Sequence, residues 1–272
     1  MRRTYGFLLA PLLMVSAFPA EVSEPLTVSG CSISNTGYLN DLAAEYERET
    51  GQQILVRGGG SIVGITELGA DRVDFAASCK AMGPEDARTL NFIPVAWDAL
   101  VFIVNPANPV ASLTPQNVRD IYEGKIFNWK ALGGADLPVK SFISSPVGMG
   151  GVGETLSHYF LNGNWPQSTV NSSMQSASVA LWEQMVERTP EGFASTGFDS
   201  AQKRNVKMLA VNGVVPSRAT ITSGRYPYRR YLYLVAAKDC KPQVARFIAF
   251  ALSRKGQKFI SSCGSIELAA IK

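Results

Sequence analysis

Short apolar runs alternate with amphipathic helical segments along almost the whole chain, and this alternation limits the possible fold more than any other feature. Residues 26–30 predict a first strand and residues 53–57 a second, with apolar residues at helical spacing over 38–49 between them. Strand–helix–strand units place their strands in parallel and pack their helices on the faces of the sheet. The pattern therefore predicts an α/β protein with a largely parallel sheet.

The alternation continues to the C-terminus. Further strands are predicted at 73–77, 99–104, 139–143, 206–211 and 229–236, and helices at 61–68, 84–90, 115–122, 152–161, 179–188 and 241–253 with a second piece to 262. Ser61 and Thr114 are predicted helix caps, and Pro115 suits the first helical position. Turn-rich runs at 105–109 and 211–230 are candidate crossings between two lobes.

The N-terminus has the features of an export signal. Arg2 and Arg3 precede an apolar stretch over 6–18, and Ala17 or Ala20 offers a small residue for cleavage. The run 28–31 resembles a lipoprotein cleavage box, but it does not follow the apolar stretch directly, so lipid attachment is not favoured. No later apolar run reaches the roughly 18 residues that a membrane span needs. We therefore expect residues 1–20 to be a signal peptide, and the mature protein to be periplasmic and not membrane-embedded.

Composition and motifs argue against several function classes. The net charge of +4 is small, and no basic run is interleaved with aromatic residues, so no nucleic-acid partner is predicted. His158 is the single histidine, and the chain has no nucleophile elbow for a Ser-His-Asp triad. The glycine-rich runs lack the Gly-Lys-Ser/Thr ending of a nucleotide phosphate loop. We therefore predict neither an enzyme nor a cofactor, and interpret Arg229 and Arg230 as a local ion-pair or hinge feature.

A series of short motifs extends from about residue 26 to the end of the chain. They are Gly-Gly-Gly-Ser-Ile-Val-Gly at 58–64, Val-Asp-Phe-Ala-Ala-Ser at 73–78, and the runs 99–109, 121–129, 192–198 and 223–227. In this order and spacing they resemble the phosphate-binding protein family of bacterial phosphate ABC transporters, a branch of the type 2 periplasmic binding protein fold. The resemblance implies two lobes, each a mainly parallel sheet flanked by helices, joined by two hinge crossings. Residues 24–105 with 216–272 would form the first lobe, and 106–215 the second.

The resemblance also implies a ligand site in the cleft between the lobes. Helix N-termini there present unpaired N–H groups and a positive dipole end, which suit an anion. The implied ligand-binding residues are Cys31, Ser32, Gly60, Ser61, Ser78 and Cys79 in the first lobe, and Ser144, Ser145, Gly150 and Gly151 in the second. The implied function is capture of phosphate or another oxyanion for an ABC transporter permease or a membrane sensor. Helix capping without ligand contact is the alternative for each loop.

The chain departs from the family at three site positions. Cys79 stands where the family usually has an acidic residue, and Cys31 where a hydroxyl residue is common. No arginine occurs in the loop 144–152, where the family has one, and Ser145 lies near its place. A guanidinium makes charge-assisted bidentate bonds to an oxyanion, so its loss would weaken binding by about a hundredfold or more. Phosphate, another anion or a different solute therefore remain open.

The four cysteines add a further question. A periplasmic protein can hold disulfides, and the resemblance places Cys31 and Cys79 on adjacent loops. A disulfide between them is favoured. The alternatives are unpaired thiols, or a soft-metal or metalloid site formed by Cys31, Cys79 and Met149, in which case the fold would be that of a repurposed ligand sensor or metal carrier.

Overall fold

The computed structural model describes residues 24–144, 150–166, 174–176 and 178–271. The predicted signal peptide and two predicted site residues, Ser145 and Met149, lie outside these ranges.

The strands form one mixed sheet and one small parallel pair. The sheet has the order β2-β1-β3-β11-β4-β8-β6-β7, with β9 also paired to β4, and β10 pairs with β5 separately. The strands are β1 (Leu26–Gly30), β2 (Ile54–Gly58), β3 (Phe75–Ser78), β4 (Leu90–Val104), β5 (Ser112–Leu113), β6 (Lys140–Ser144), β7 (Met174–Ser176), β8 (Gly192–Gly197), β9 (Lys207–Met208), β10 (Ala210–Val211) and β11 (Arg229–Ala237).

The two ends of the sheet are parallel and its centre is antiparallel. At one end β2, β1 and β3 run parallel, and at the other β8, β6 and β7 do the same. Between them, β11 and β4 pair antiparallel with each other and with the neighbouring parallel group. Each end is therefore a mainly parallel sheet flanked by helices, as the sequence predicted.

The antiparallel strands β4 and β11, here called the central pair, link the two ends of the sheet. β4 pairs with β11 as far as Ala99 and with β8 from Leu100 onward. The sequence predicted only the last part of this strand, because Pro94 and Asp98 interrupt the apolar run before it. The ladder has an irregularity at Leu232/Tyr233, opposite Pro94. Proline has no N–H to donate, so a regular ladder cannot pass this point.

The helices cover both faces of the sheet. They are α1 (Ser32–Ser34), α2 (Asn40–Thr50), α3 (Ser61–Gly69), α4 (Pro115–Tyr122), α5 (Gly151–Phe160), α6 (Val179–Arg188), α7 (Phe198–Ala201), α8 (Arg218–Thr222), α9 (Pro242–Leu252) and α10 (Arg254–Ser262). A π-helical segment, Asn35–Leu39, joins α1 to α2, and 3₁₀ turns occur at Asp86–Arg88, Trp129–Leu132 and Leu268–Ala270. None of the helices in the described ranges has the length and apolar character that crossing a membrane requires.

Helix predictions held best where end signals were present. The prediction for α6 is confirmed to the residue, and Thr114 caps α4 with Pro115 at its first position. The first helical run begins at Ser32 and not at residue 38, because its first turns are buried through small polar side chains that show no apolar period. A helix over 84–90 was wrong, since only Asp86–Arg88 forms a 3₁₀ turn before β4 begins.

Candidate functional site

The N-termini of three helices meet at one point of the fold. Cys31, Gly60 and Gly150 are the N-cap residues of α1, α3 and α5, and none of the three helices has a side-chain cap. By contrast, side chains cap α4, α8 and α10 through Thr114, Ser217 and Ser253. Helices α6 and α9 also lack a cap, so the distinguishing feature of the three is their convergence. All three N-termini lie against Cys79, and we call this meeting point the cradle.

Cys79, directly after β3, lies at the centre of the cradle. Its backbone N–H donates to Ser61 Oγ at 3.0 Å, and its Sγ lies 3.5 Å from the same hydroxyl. The Cys31 thiol is a second hydrogen-bonding neighbour. Ser61 is the first residue of α3 and its hydroxyl binds the Cys79 loop, so the prediction that Ser61 caps its own helix was wrong. Cys31, Gly60, Ser61 and Cys79 form the first wall of the cradle.

Glycine makes this wall compact. Gly60 has φ 93°, a left-handed conformation that side chains disfavour, and its N–H donates to Gly30 O at 3.0 Å. Behind it, α3 lies directly on β1, since a Cβ at Gly64 would be 2.4 Å from Ser29 O. The glycine-rich motif at 58–64 therefore allows the close approach of the α3 N-terminus to β1 and β3.

The second wall of the cradle, Gly150 and Gly151, is backbone at the start of α5. A Cβ at Gly151 would be 2.3 Å from Cys79 Sγ, and one at Gly150 would be 2.9 Å from Lys80 Cδ. The two walls are thus in direct contact across the centre of the sheet. Any side chain at Gly151 would hold them apart.

The two cradle thiols differ in acidity although they touch. The hydrogen bond from Cys31, together with the Arg230 charge and Ser61, lowers the pKa of Cys79 to about 7. Burial, and the neighbouring Cys79, raise the pKa of Cys31 well above its usual value. Titration of such a pair belongs to both groups, so one proton leaves the pair near neutral pH and the second leaves only at high pH. Near neutral pH the cradle can therefore carry one negative charge on sulfur.

Arg230 of β11 supplies the positive charge beside this thiol. Its Nε and Nη2 donate to Asp98 Oδ2 at 3.1 and 2.9 Å. Its Nη1 donates to Gly151 O at 3.0 Å and Thr155 Oγ1 at 3.2 Å, so one guanidinium connects the central pair to α5. Both Asp98 and Arg230 have buried side chains, and Asp98 Oδ1 accepts from Asp199 N–H at 3.1 Å. The interpretation of Arg230 as a local ion-pair feature agrees with this geometry.

The four predicted serines other than Ser61 differ in their position relative to the cradle. Ser32 is buried in the first turn of α1, and its hydroxyl has no hydrogen bond to another described residue. Ser78 is buried beside the cradle, but its hydroxyl donates to Lys80 O and accepts from Lys80 N, so it is used within its own loop. Ser144 ends β6, and Ser145 lies outside the described residues.

The predicted disulfide is absent, since Cys31 and Cys79 are both free thiols. Their sulfurs are neighbours within hydrogen-bonding contact and are not bonded. Within the described ranges, His, Cys, Asp and Glu side chains form no group of three or more that could hold a metal ion. Met149, the third residue of the alternative metal site, is outside those ranges.

The charged partners of the cradle were missing from the sequence-based site. The sequence showed that the loop 144–152 has no arginine, but it did not show that Arg230 takes a place beside Cys79. Arg230 and Asp98 are 132 residues apart, and a strand pairing brings them together. The available signal was the presence of charged residues, Asp98 in β4 and Arg229 and Arg230 in β11, within strands that are otherwise largely apolar.

Comparisons with known proteins agree with this architecture. The chain is 25% identical over 259 residues to the phosphate-binding protein PstS of Borreliella burgdorferi, covering 90% of this chain and 91% of that protein. It is 25% identical over 243 residues to PstS of Bacillus subtilis, covering 88% of this chain and 79% of that protein. Both relatives are thus matched over most of their length.

Solved structures give the same result for the fold. A substrate-binding protein from Clostridium perfringens with bound phosphate superimposes with a TM-score of 0.77 at 24% identity, covering 90% of this chain and all of that chain. An ABC-type phosphate transport receptor from Vibrio cholerae has a TM-score of 0.68 at 25% identity, with the same coverage of 90% and 100%.

The sequence profile of the PBP superfamily domain matches residues 19–255, which is most of the chain. This profile describes binding proteins, in agreement with the prediction that the chain is not an enzyme. Together with the central pair, the parallel sheets on either side and the cradle between them, the match shows that this chain is a two-lobed binding protein and belongs to the PBP superfamily.

Proposed function

We propose that this protein is a periplasmic binding component that captures an oxyanion, such as phosphate, in the cradle and delivers it to an ABC transporter permease. The convergence of the three uncapped helix N-termini, of α1, α3 and α5, at Cys79 carries this proposal. Unpaired N–H groups and positive dipole ends at one point suit a small anion. The relatives named as phosphate-binding proteins support the same ligand class.

Closure of two lobes about the central pair is the proposed mechanism. We assign 24–105 with 216–272 to the first lobe and 106–215 to the second. Contacts from Cys79 to Gly151 and from Arg230 to α5 would then exist only when the lobes are closed. An anion bound between the two walls would favour that closed state, as in other hinge-closing proteins.

Thermal unfolding of the mature protein with and without millimolar phosphate tests the function. A ligand at a hundred times its Kd adds about 2.7 kcal/mol of stability, which raises Tm by several degrees. Sulfate and a matched chloride concentration separate oxyanion binding from ionic strength. No shift with any oxyanion would contradict the proposal.

A variant with Ser32→Ala and Ser61→Ala tests the place of the site. We expect it to fold and to lose most of the stabilisation by phosphate, because Ser61 is part of the first wall and Ser32 directly follows Cys31 of that wall. Ser112→Ala, in the separate pair of β5 and β10, is the control and should keep the full shift. Unchanged stabilisation in the double variant would mean that the anion binds elsewhere.

Export is part of the proposal. We propose that residues 1–20 are removed as a signal peptide. Mass spectrometry of the protein recovered from a periplasmic fraction should then give the mass of a chain that lacks these residues.

The contact between two buried thiols also favours a second candidate function, binding of a soft metal ion such as Cu(I). A titration with Cu(I) under reducing conditions tests it. The Cys31→Ser variant should lose the metal while keeping phosphate binding if the two functions are separate.

A further inference from the structure

A groove lined largely by aromatic side chains opens directly beside the cradle. It has a volume of about 370 Å³ and lies between helix α5 and the central pair. The strands line it with Trp97, Tyr231 and Tyr233, and the helix lines it with Glu154, His158 and Tyr159. Cys79 and Arg230 are also part of its lining. We call this space the aromatic groove. Its volume is in the range of pockets that hold organic ligands, roughly 300–1,000 Å³.

Strand geometry explains why the rings share one face. Tyr231 and Tyr233 are two residues apart on β11, so their side chains point to the same side of the sheet. Trp97 is the direct partner of Tyr231 on β4, and the two ring centroids are 3.7 Å apart. The ring centroids of Tyr231 and Tyr233 are 5.8 Å apart. The central pair thus presents a continuous row of rings to α5.

The groove also has charged groups without a matching partner. The Arg229 guanidinium lies 5.7 Å from the Trp97 ring and has no carboxylate partner among the described residues. Glu154 is half-buried, and burial raises its pKa, while Lys80 and Arg230 are the cations near it. Arg230 is already paired with Asp98. Lys80 is paired with Asp86, so Arg229 is the groove cation left without a carboxylate among the described residues. An occupant with a flat apolar body matches the rings, and a negative charge on it can pair with Arg229.

The groove and the cradle adjoin each other at Cys79. Cys79 lines the groove and is also the residue at which the first and second walls meet. Arg230 lines the groove and binds Gly151 of the second wall. An anionic head group in the cradle would therefore leave the rest of a larger ligand in contact with the aromatic rings.

We propose that the ligand is an organic anion, whose charged head group binds in the cradle and whose flat, unsaturated body packs in the aromatic groove. This inference rests on the proposed function and narrows it, because the groove is larger than a bare tetrahedral oxyanion requires. The cradle alone would then bind inorganic phosphate weakly, and the groove would supply the remaining affinity.

Three probes separate head group from body: inorganic phosphate, phenol and phenyl phosphate, each measured by calorimetry at one pH. We expect phenyl phosphate to bind about tenfold to a hundredfold tighter than phosphate, since burial of an aromatic ring contributes on that scale. Phenol should bind more weakly than phenyl phosphate. Equal affinities for phosphate and phenyl phosphate would overturn the inference and leave the oxyanion function intact, whereas no binding of either anion would overturn the oxyanion function itself.

Substitutions in the aromatic groove test whether its rings cause the tighter binding of phenyl phosphate. Tyr231→Ala and Tyr159→Ala should each bring the affinity for phenyl phosphate closer to that for phosphate, without changing the affinity for phosphate. Tyr159 is 37% exposed, so its removal leaves the fold intact even if Tyr231→Ala is destabilised. Phe127→Ala is the matched control, because Phe127 is 67% exposed and is not part of the groove. A preference for phenyl phosphate that survives both groove variants would place the ring elsewhere and overturn the inference.

Discussion

The two walls of the cradle are built in different ways. The first wall uses side chains: the Ser61 hydroxyl and the Cys31 and Cys79 thiols form one hydrogen-bonded group. The second wall is backbone, since Gly150 and Gly151 contribute no side chain. The cation beside them, Arg230, belongs to the central pair; it donates a hydrogen bond to Gly151 O of the second wall, and its charge lowers the pKa of Cys79 in the first. The first wall therefore sets the chemistry of the site, and the second wall sets how closely the lobes approach.

Loss of the ion pair between Asp98 and Arg230 within the central pair should have the largest effect on stability. Asp98→Ala leaves the Arg230 guanidinium buried without its carboxylate, which costs about 3–5 kcal/mol of unfolding free energy. Urea unfolding measures it. Asp136→Ala removes the partner of Lys130 in a pair that is 71% and 67% exposed and should cost less than about 1 kcal/mol. Equal losses in the two variants would mean that the central pair does not depend on this contact.

Two glycine variants separate folding from closure. Gly64→Ala places a methyl group 2.4 Å from Ser29 O inside the first lobe, so we expect a loss of about 1–3 kcal/mol in urea unfolding. Gly151→Ala places one 2.3 Å from Cys79 Sγ across the two walls, where the lobes can separate to relieve the clash. It should leave stability nearly unchanged and weaken phosphate binding by about tenfold, with a larger radius of gyration in X-ray scattering. If Gly151→Ala lowers the free energy of unfolding as much as Gly64→Ala does, the contact at Gly151 is needed for folding and not only for closure.

Single hydroxyl deletions compare Ser61 of the first wall with Ser32, which directly follows Cys31 of that wall. Ser61→Ala leaves the buried Cys79 N–H without its acceptor, at a cost of about 1–2 kcal/mol. Ser32→Ala removes a hydroxyl that bonds to no described residue and should cost less in the same urea assay. A larger loss for Ser32→Ala would show that its hydroxyl has a structural partner.

The pH dependence of anion binding should depend on Cys79. Its pKa is lowered to about 7, so the group is a neutral thiol below that pH and a negative thiolate above it. A thiolate in the cradle repels an anion, and the affinity for phosphate should therefore fall severalfold as pH rises from 6 to 8. The ionisation of phosphate itself affects binding to the wild-type protein and to Cys79→Ser alike, but only the wild-type protein can form the thiolate. Calorimetry on both proteins across this pH range therefore isolates the contribution of Cys79. Parallel pH profiles would show that Cys79 stays protonated.

Much of the fold could be predicted from local patterns. The limits of β1 and α6 are correct to the residue, because each has a clear apolar period and clear flanking residues. β4 was predicted at less than half its length, because Pro94 and Asp98 interrupt the apolar pattern of its first part. That part of the strand is set by pairing with β11. The start of the first helix was missed because the residues from Ser32 to Ser34 are buried by tertiary packing and not by hydrophobicity.

By itself, the sequence determined the α/β class, the family resemblance and the loops that carry the first wall, since helix starts and glycine turns are encoded by neighbouring residues. Only the tertiary structure decided that Arg230 lies beside Cys79, and that the rings of Trp97 and Tyr231 line a groove there. These groups are brought together by strand register and by contact between α5 and the central pair. Such contacts join residues far apart in the chain, and no local pattern records them.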